Sequence, residues 1–172
     1  MNQEKTIVSA ILDAREQRWN KRLALAKRYN SCVICLVLNI PGTNKNPPQS
    51  QSALLRLSQQ FEAKLDNENI EVTAKVEADS ADGRYIMWVV SSPSAKLKRL
   101  TVEIEQQDPL GRLADFDLVN SKGITVGRSE LSLPPRYCML CEQVAAVCVR
   151  NRNHSFDEVW DVITNNLNQV AI

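Results

Sequence analysis

Cys138, Cys141, Cys148 and the only histidine, His154, follow one another as Cys-x2-Cys-x6-Cys-x5-His, with Arg136, Arg150 and Arg152 set among them. Thiolates and imidazole are the ligands zinc takes, and guanidinium groups hold phosphate or carboxylate by two-point hydrogen bonding. The first cysteine pair has zinc-knuckle spacing, and Leu133-Pro134-Pro135 stiffens the approach to it. The other reading is reduced thiols that pack, with a histidine that merely precedes a helix. Spacing alone leaves both open.

Gly111-Arg112-Leu113-Ala114-Asp115-Phe116-Asp117 is the second chemical feature. On a strand Asp115 and Asp117 point to the same side, with Cβ atoms roughly 7 Å apart for a rise of about 3.4 Å per residue. Two carboxylates so placed can share a divalent ion or a pair of ions. Enzymes that move phosphoryl or nucleotidyl groups use this to neutralise charge on the attacking and leaving oxygens. Arg112 can steady a phosphate nearby. The bland alternative is the solvated face of an edge strand.

Positioning these residues is the task of the rest of the chain. Residues 4–29 predict one or two helices around Ile7, Ile11, Leu12, Leu23 and Leu25. The β-branched run 31–40 predicts a buried strand that ends at the Pro41-Gly42 turn. Its Cys32 and Cys35 are three apart and so face opposite sides of a sheet, which argues against a chelating or redox pair. Leu54, Leu55, Leu57, Phe61 and Leu65 predict a core helix over 51–65, and alternation predicts strands at 70–76 and 84–91 about the Asp82-Gly83 turn. A second core helix runs over 93–107, with Ser92 as N-cap and Asp108-Pro109 as its stop, and Glu103 and Glu105 read as its polar side. A strand follows over 113–119, then a turn at 121–123 and a short return at 124–126. Ser155 and Glu158 have capping-box spacing ahead of a C-terminal helix.

From 31 to 119 the order is strand, helix, strand, strand, helix, strand. That is the α+β, ferredoxin-like split βαβ arrangement, an antiparallel sheet with helices on one face. An N-terminal helix precedes it, and a Cys/His loop plus helix over 128–170 is appended. At 172 residues the chain is read as a single domain spanning 1–172.

Composition narrows the partners. A net charge of +1 supplies no bulk attraction to nucleic acid or to a membrane surface, so any anion site is local. The N-terminal segment is charged, without the apolar core of a signal peptide or a membrane span, and the five cysteines are an odd count. A cytoplasmic protein without a disulfide framework is expected.

Three segments carry a resemblance: Gly111-Arg112-Leu113-x-Asp115-x-Asp117, then Leu133-Pro134-Pro135-Arg136-x-Cys138-x-Leu140-Cys141-Glu142, then Ala146-Val147-Cys148-x-Arg150 with His154. They resemble the apo-citrate lyase phosphoribosyl-dephospho-CoA transferases, the holo-acyl-carrier synthases of citrate lyase. Weaker likeness lies in Arg15-Glu16-x-Arg18, Pro41-Gly42-x-x-Lys45 and Leu97-Lys98-Arg99-Leu100-Thr101 with Glu103-x-Glu105, so the resemblance covers nearly the whole chain. The chain departs from the family pattern at Asp108, where histidine is usual, at Ala114, at Gly127, and at Tyr137, where a second arginine often follows Arg136.

The resemblance implies a nucleotidyltransferase-type enzyme. It attaches phosphoribosyl-dephospho-CoA from a triphosphoribosyl donor to a serine of the citrate lyase acyl carrier subunit and releases diphosphate. The expected catalytic set is Asp115, Asp117 and Arg112, with Mg²⁺ on the two aspartates. Arg136, Arg150, Lys45 and Arg128 are the expected donor-binding residues. From their spacing, Cys138, Cys141, Cys148 and His154 are a candidate structural zinc set, with packing thiols as the open alternative. The competing expectation, from the Cys/His run alone, is a zinc-stabilised protein-binding module without chemistry.

Overall fold

A computed structural model describes residues 2–107 and 109–171 of the chain. The expected helix stop at Asp108 therefore lies outside the described residues. Helix α1 (Asn2–Tyr29) leads into strand β1 (Cys32–Leu38), helix α2 (Ser50–Asn67), strands β2 (Val72–Ala78) and β3 (Tyr85–Val90), helix α3 (Ser94–Gln107) and strand β4 (Ala114–Val119). Two further helices, α4 (Ala145–Asn151) and α5 (Phe156–Asn168), follow a long loop. The strands lie in the order β2-β3-β1-β4 with every neighbouring pair antiparallel, which is the expected split βαβ sheet.

Alternation along the central strand divides the interior in two. Cys32, Ile34 and Leu36 face a core completed by Leu54, Leu57 and Phe61 of α2, Leu97 and Ile104 of α3, and Ile163 and Leu167 of α5. Val33, Cys35 and Val37 face the other way, under α1. Cys32 and Cys35 thus sit on opposite faces, as the strand reading requires. Both core helices share one face, as expected; the N-terminal helix closes the other, so each side of the sheet has a helical layer.

Helix α1 is one continuous element. Its buried stripe is Ile11, Ala14, Arg18, Arg22 and Ala26, at helical spacing, while Ile7 and Leu12 are exposed. Two arginines thus occupy places where a core helix ordinarily carries leucine.

Strand β4 is an edge, and its outward backbone groups are occupied. Phe116 N–H donates to Glu105 Oε1 at 3.4 Å, Lys98 Nζ donates to Phe116 O at 2.9 Å, and Arg136 Nη2 donates to Ala114 O at 2.8 Å. Val126 N–H donates to Leu118 O at 2.9 Å. The edge is therefore closed to pairing with another chain. Gly111, just before it, passes so near α3 that a Cβ there would lie 2.0 Å from the carbonyl oxygen of Ile104. Among the described residues, no helix is long and apolar enough to cross a membrane.

Candidate active site

Strand alternation sends Ala114, Phe116 and Leu118 into the α2/α3 core and leaves Asp115 and Asp117 on the α1 face. The two aspartates stand opposite Val37 and Cys35 of β1. Arg22 reaches down from α1 and places Nη1 2.6 Å from Asp117 Oδ2, with its guanidinium 5.0 Å from the Trp19 ring centre. Asp115 faces Arg136, whose Nη2 lies 3.9 Å from Oδ1. Burial and the neighbouring Asp117 charge hold the Asp115 carboxyl above its ordinary range, with Arg136 only partly countering them.

Asp115 forms one wall of a pocket of about 300 Å³ at the end of β1, where Arg15, Arg18, Lys45, Asp82 and Asn39 also line it. Asp82 lies 3.0 Å from Arg15 Nε and 2.9 Å from Arg18 Nη1, with Lys45 Nζ at 4.0 Å. Burial opposes ionisation of Asp82, but hydrogen bonds from Arg15 and Arg18 outweigh it and bring the carboxyl below its ordinary value. Lys45 also donates to the Ile40 carbonyl.

The Cys/His run closes on itself. Cys138 N–H donates to Gln143 O at 2.7 Å and Ala145 N–H to Arg136 O at 2.9 Å, which makes residues 136–145 a tight hairpin. Cys148 comes from α4, and His154 precedes Ser155, the cap of α5, whose side chain and Glu158 form the expected capping box. The four ligand atoms of Cys138, Cys141, Cys148 and His154 all lie within 4.8 Å of one another. Cys141 Sγ is 3.5 Å from Cys148 Sγ and 3.3 Å from His154 Nε2. A tetrahedral ion with bonds of about 2.3 Å to sulfur separates its thiolates by about 3.8 Å, close to this spacing. Burial raises Cys138, yet backbone N–H groups of Leu140 and Cys141 more than offset it and favour the thiolate. Burial and its thiol neighbours push Cys148 up to about 11. Three sulfur atoms and an imidazole nitrogen this close together can hold a metal such as zinc.

Arg112 ties the hairpin to the start of β4, its Nη2 donating to Tyr137 O at 2.6 Å and Cys138 O at 2.8 Å. Between the hairpin and α5 opens a groove of about 680 Å³, walled by Tyr137, Met139, Phe156, Val159 and Ile163 among others. It meets the pocket beside Asp115 at Asn39, which lines both.

The structure brings together Asp115, Asp117, Arg136 and Lys45. It sets Arg112 at the rim, bound to backbone carbonyls. Arg128 lies behind the strand, ion-paired with Glu105 and donating to Pro134 O at 3.0 Å, and Arg150 is exposed on α4. Glu103 is on the polar side of α3, as read, but Glu105 is buried and takes both Arg128 and Arg136, the latter at 3.1 Å. Sequence reasoning gave Arg15, Arg18, Arg22 and Asp82 no place in the site and read Glu105 as surface charge. The spacing of the three arginines, on one face of a helix, was the available signal.

The family model for apo-citrate lyase phosphoribosyl-dephospho-CoA transferase matches residues 6–170. The chain belongs to this family. Proteins named apo-citrate lyase phosphoribosyl-dephospho-CoA transferase from Escherichia coli O1:K1 and from Shigella flexneri serotype 5b are each 29% identical to it over 95% of the chain and 89% of their own length. A Haemophilus influenzae protein named CitXG is 29% identical over 92% of the chain, and the match spans 34% of that longer protein. As a member of the apo-citrate lyase phosphoribosyl-dephospho-CoA transferase family the chain is an enzyme, a transferase. Of the competing expectation of a binding module, a Cys/His cluster able to hold a metal is the part that stands.

Proposed function

We propose that this chain attaches phosphoribosyl-dephospho-CoA to a serine of the citrate lyase acyl carrier subunit, using a triphosphoribosyl donor and releasing diphosphate. Family membership supports the reaction class. The observation that carries the reading to particular residues is the carboxylate pair Asp115 and Asp117 beside a pocket lined by Arg15, Arg18 and Lys45. Carboxylates able to take a cation on one wall, with arginine and lysine on the other, suit a polyanionic donor whose charge shifts toward the leaving group.

Asp115 and Asp117 fit Mg²⁺, a hard cation that takes carboxylate oxygens, and the raised Asp115 carboxyl marks a place where added positive charge is favoured. When bound, the ion neutralises phosphate charge in the transition state. The protein's own groups do the rest. Arg22 holds Asp117 in place, Arg136 sits over Asp115 within reach of a donor phosphate, and Lys45 adds charge from the far wall. The serine hydroxyl loses its proton to the medium, its Oγ bonds the proximal phosphorus, and diphosphate departs with the electron pair of the broken bond.

Zinc held by Cys138, Cys141, Cys148 and His154 would have four protein ligands, the set of a structural site. It would fix the hairpin that carries Arg136 and the wall of the groove offered to the dephospho-CoA moiety. Incubating the chain with apo-carrier, donor and Mg²⁺, and following carrier modification against the Asp115→Asn variant, tests the reading; full turnover by that variant overturns the carboxylate mechanism.

A further inference from the structure

We propose that the pocket walled by Arg15, Arg18 and Lys45 is a dedicated polyphosphate subsite, which holds the part of the donor that leaves as diphosphate while Asp115 and Asp117 face the phosphorus under attack. This deepens the transferase reading above and rests on it. Three cationic side chains converge there on one carboxylate, Asp82. Asp115 also lines the pocket, but it faces a cation of its own, Arg136. Two positive charges are therefore in excess.

Two of the three are not freely solvated charges. The side chains of Arg18 and Lys45 are only 8% and 9% exposed, and Arg18 Nε is buried without a hydrogen-bond partner. Buried charge without a counterion is costly, and such groups are ordinarily paired. Helix α1 places Arg18 in a stripe where leucine would pack against the sheet with no such cost. The remaining walls, Val37, Leu38 and Ile40, add no anion, and Asn39 contributes an amide. A ligand with two or more negative charges, small enough for about 300 Å³, balances the pocket. A diphosphate group has that charge and size. Asp115 lines the same pocket, so the proposal puts the proximal phosphate at the carboxylate pair and the distal ones among the cations.

Arg15 is the residue to vary, since its side chain is 51% exposed and its loss leaves the buried stripe of α1 intact. Inorganic tripolyphosphate is titrated calorimetrically into the full chain in magnesium-free buffer, and dephospho-CoA, which lacks the triphosphate, is titrated separately. Tripolyphosphate is expected to bind the wild type, to bind Arg15→Gln about tenfold more weakly, and to bind Arg15→Lys nearly as well, as loss of one charge-assisted contact predicts. Dephospho-CoA affinity is expected to be the same in all three. Equal tripolyphosphate affinity in wild type and Arg15→Gln, or no binding to the wild type, overturns the subsite. A wild type that binds tripolyphosphate yet never modifies the carrier overturns the transferase reading and leaves the subsite standing.

Discussion

Arg22 on α1 and Asp117 on β4 form a close ion pair, Nη1 to Oδ2 at 2.6 Å, with the arginine side chain 7% exposed and the aspartate 40%. The pair joins the N-terminal helix to the strand that carries the carboxylates. It also makes the two aspartates unequal, because Asp117 has a buried partner and Asp115 has a crowded, raised carboxyl.

Asp117→Asn is therefore expected to abolish transfer and to destabilise the fold by about 1–3 kcal/mol, less than a fully buried pair would cost because solvent screens the aspartate. Asp115→Asn is expected to abolish transfer with no loss of stability. Urea unfolding beside a transfer assay checks both, and the two variants should separate clearly in midpoint.

The pH dependence has a defined sign. A carboxyl raised in the folded state binds its proton more tightly there than in the unfolded chain. Asp115 thus costs the wild type stability as pH rises from the ordinary value, 3.8, through its folded value, and the penalty is complete above that. Asp115→Asn lacks this slope. Unfolding curves collected from acid to neutral pH should show the variant's relative stability rising over that window and then levelling.

Glu105 takes Arg128, Arg136 and the Phe116 amide from within the core. Glu105→Ala takes the carboxylate from two half-buried arginines, Arg128 and Arg136, and leaves the Phe116 amide without its acceptor, and is expected to cost about 3 kcal/mol. Because Arg136 loses the carboxylate that holds it beside Asp115, residual transfer by the folded fraction should show a raised donor KM.

Gly111→Ala puts a methyl group 2.0 Å from a backbone oxygen of α3, where no flexible side chain can yield. Loss of about 2–4 kcal/mol is expected, from the strain of an overpacked backbone contact, and thermal unfolding followed by circular dichroism measures it.

Metal analysis of purified chain is expected to find zinc at one equivalent. Its removal by a chelator, or Cys141→Ser, should lower the melting temperature and loosen the 136–145 hairpin. A chain free of zinc that melts unchanged after chelation contradicts a structural metal.

The order and pairing of the core elements were readable because each strand is short, strongly apolar or alternating, and bounded by turn residues such as Pro41-Gly42 and Asp82-Gly83. That Asp115 and Asp117 share one side was readable from strand alternation alone; which face of the sheet that side is was not. What covers them was not, because contact between α1 and β4 joins residues about a hundred positions apart, and local periodicity carries no such information. Reading α1 through its apolar residues also hid the buried stripe, where Arg18 and Arg22 stand in place of leucine. Glu105 looked like one more charge on a polar face until Arg128 and Arg136, far along the chain, were seen to meet it. The metal cluster was visible in spacing, but α4, seven residues long, was too short for its pattern to show.

Intact-mass spectrometry of the citrate lyase acyl carrier subunit, incubated with this chain, Mg²⁺ and the triphosphoribosyl donor, tests the central claim most directly. The account predicts a carrier heavier by one phosphoribosyl-dephospho-CoA group, carried on a serine, with an equal amount of diphosphate released and neither product formed by Asp115→Asn. An unmodified carrier with the wild-type chain, or modification by Asp115→Asn at the wild-type rate, contradicts it.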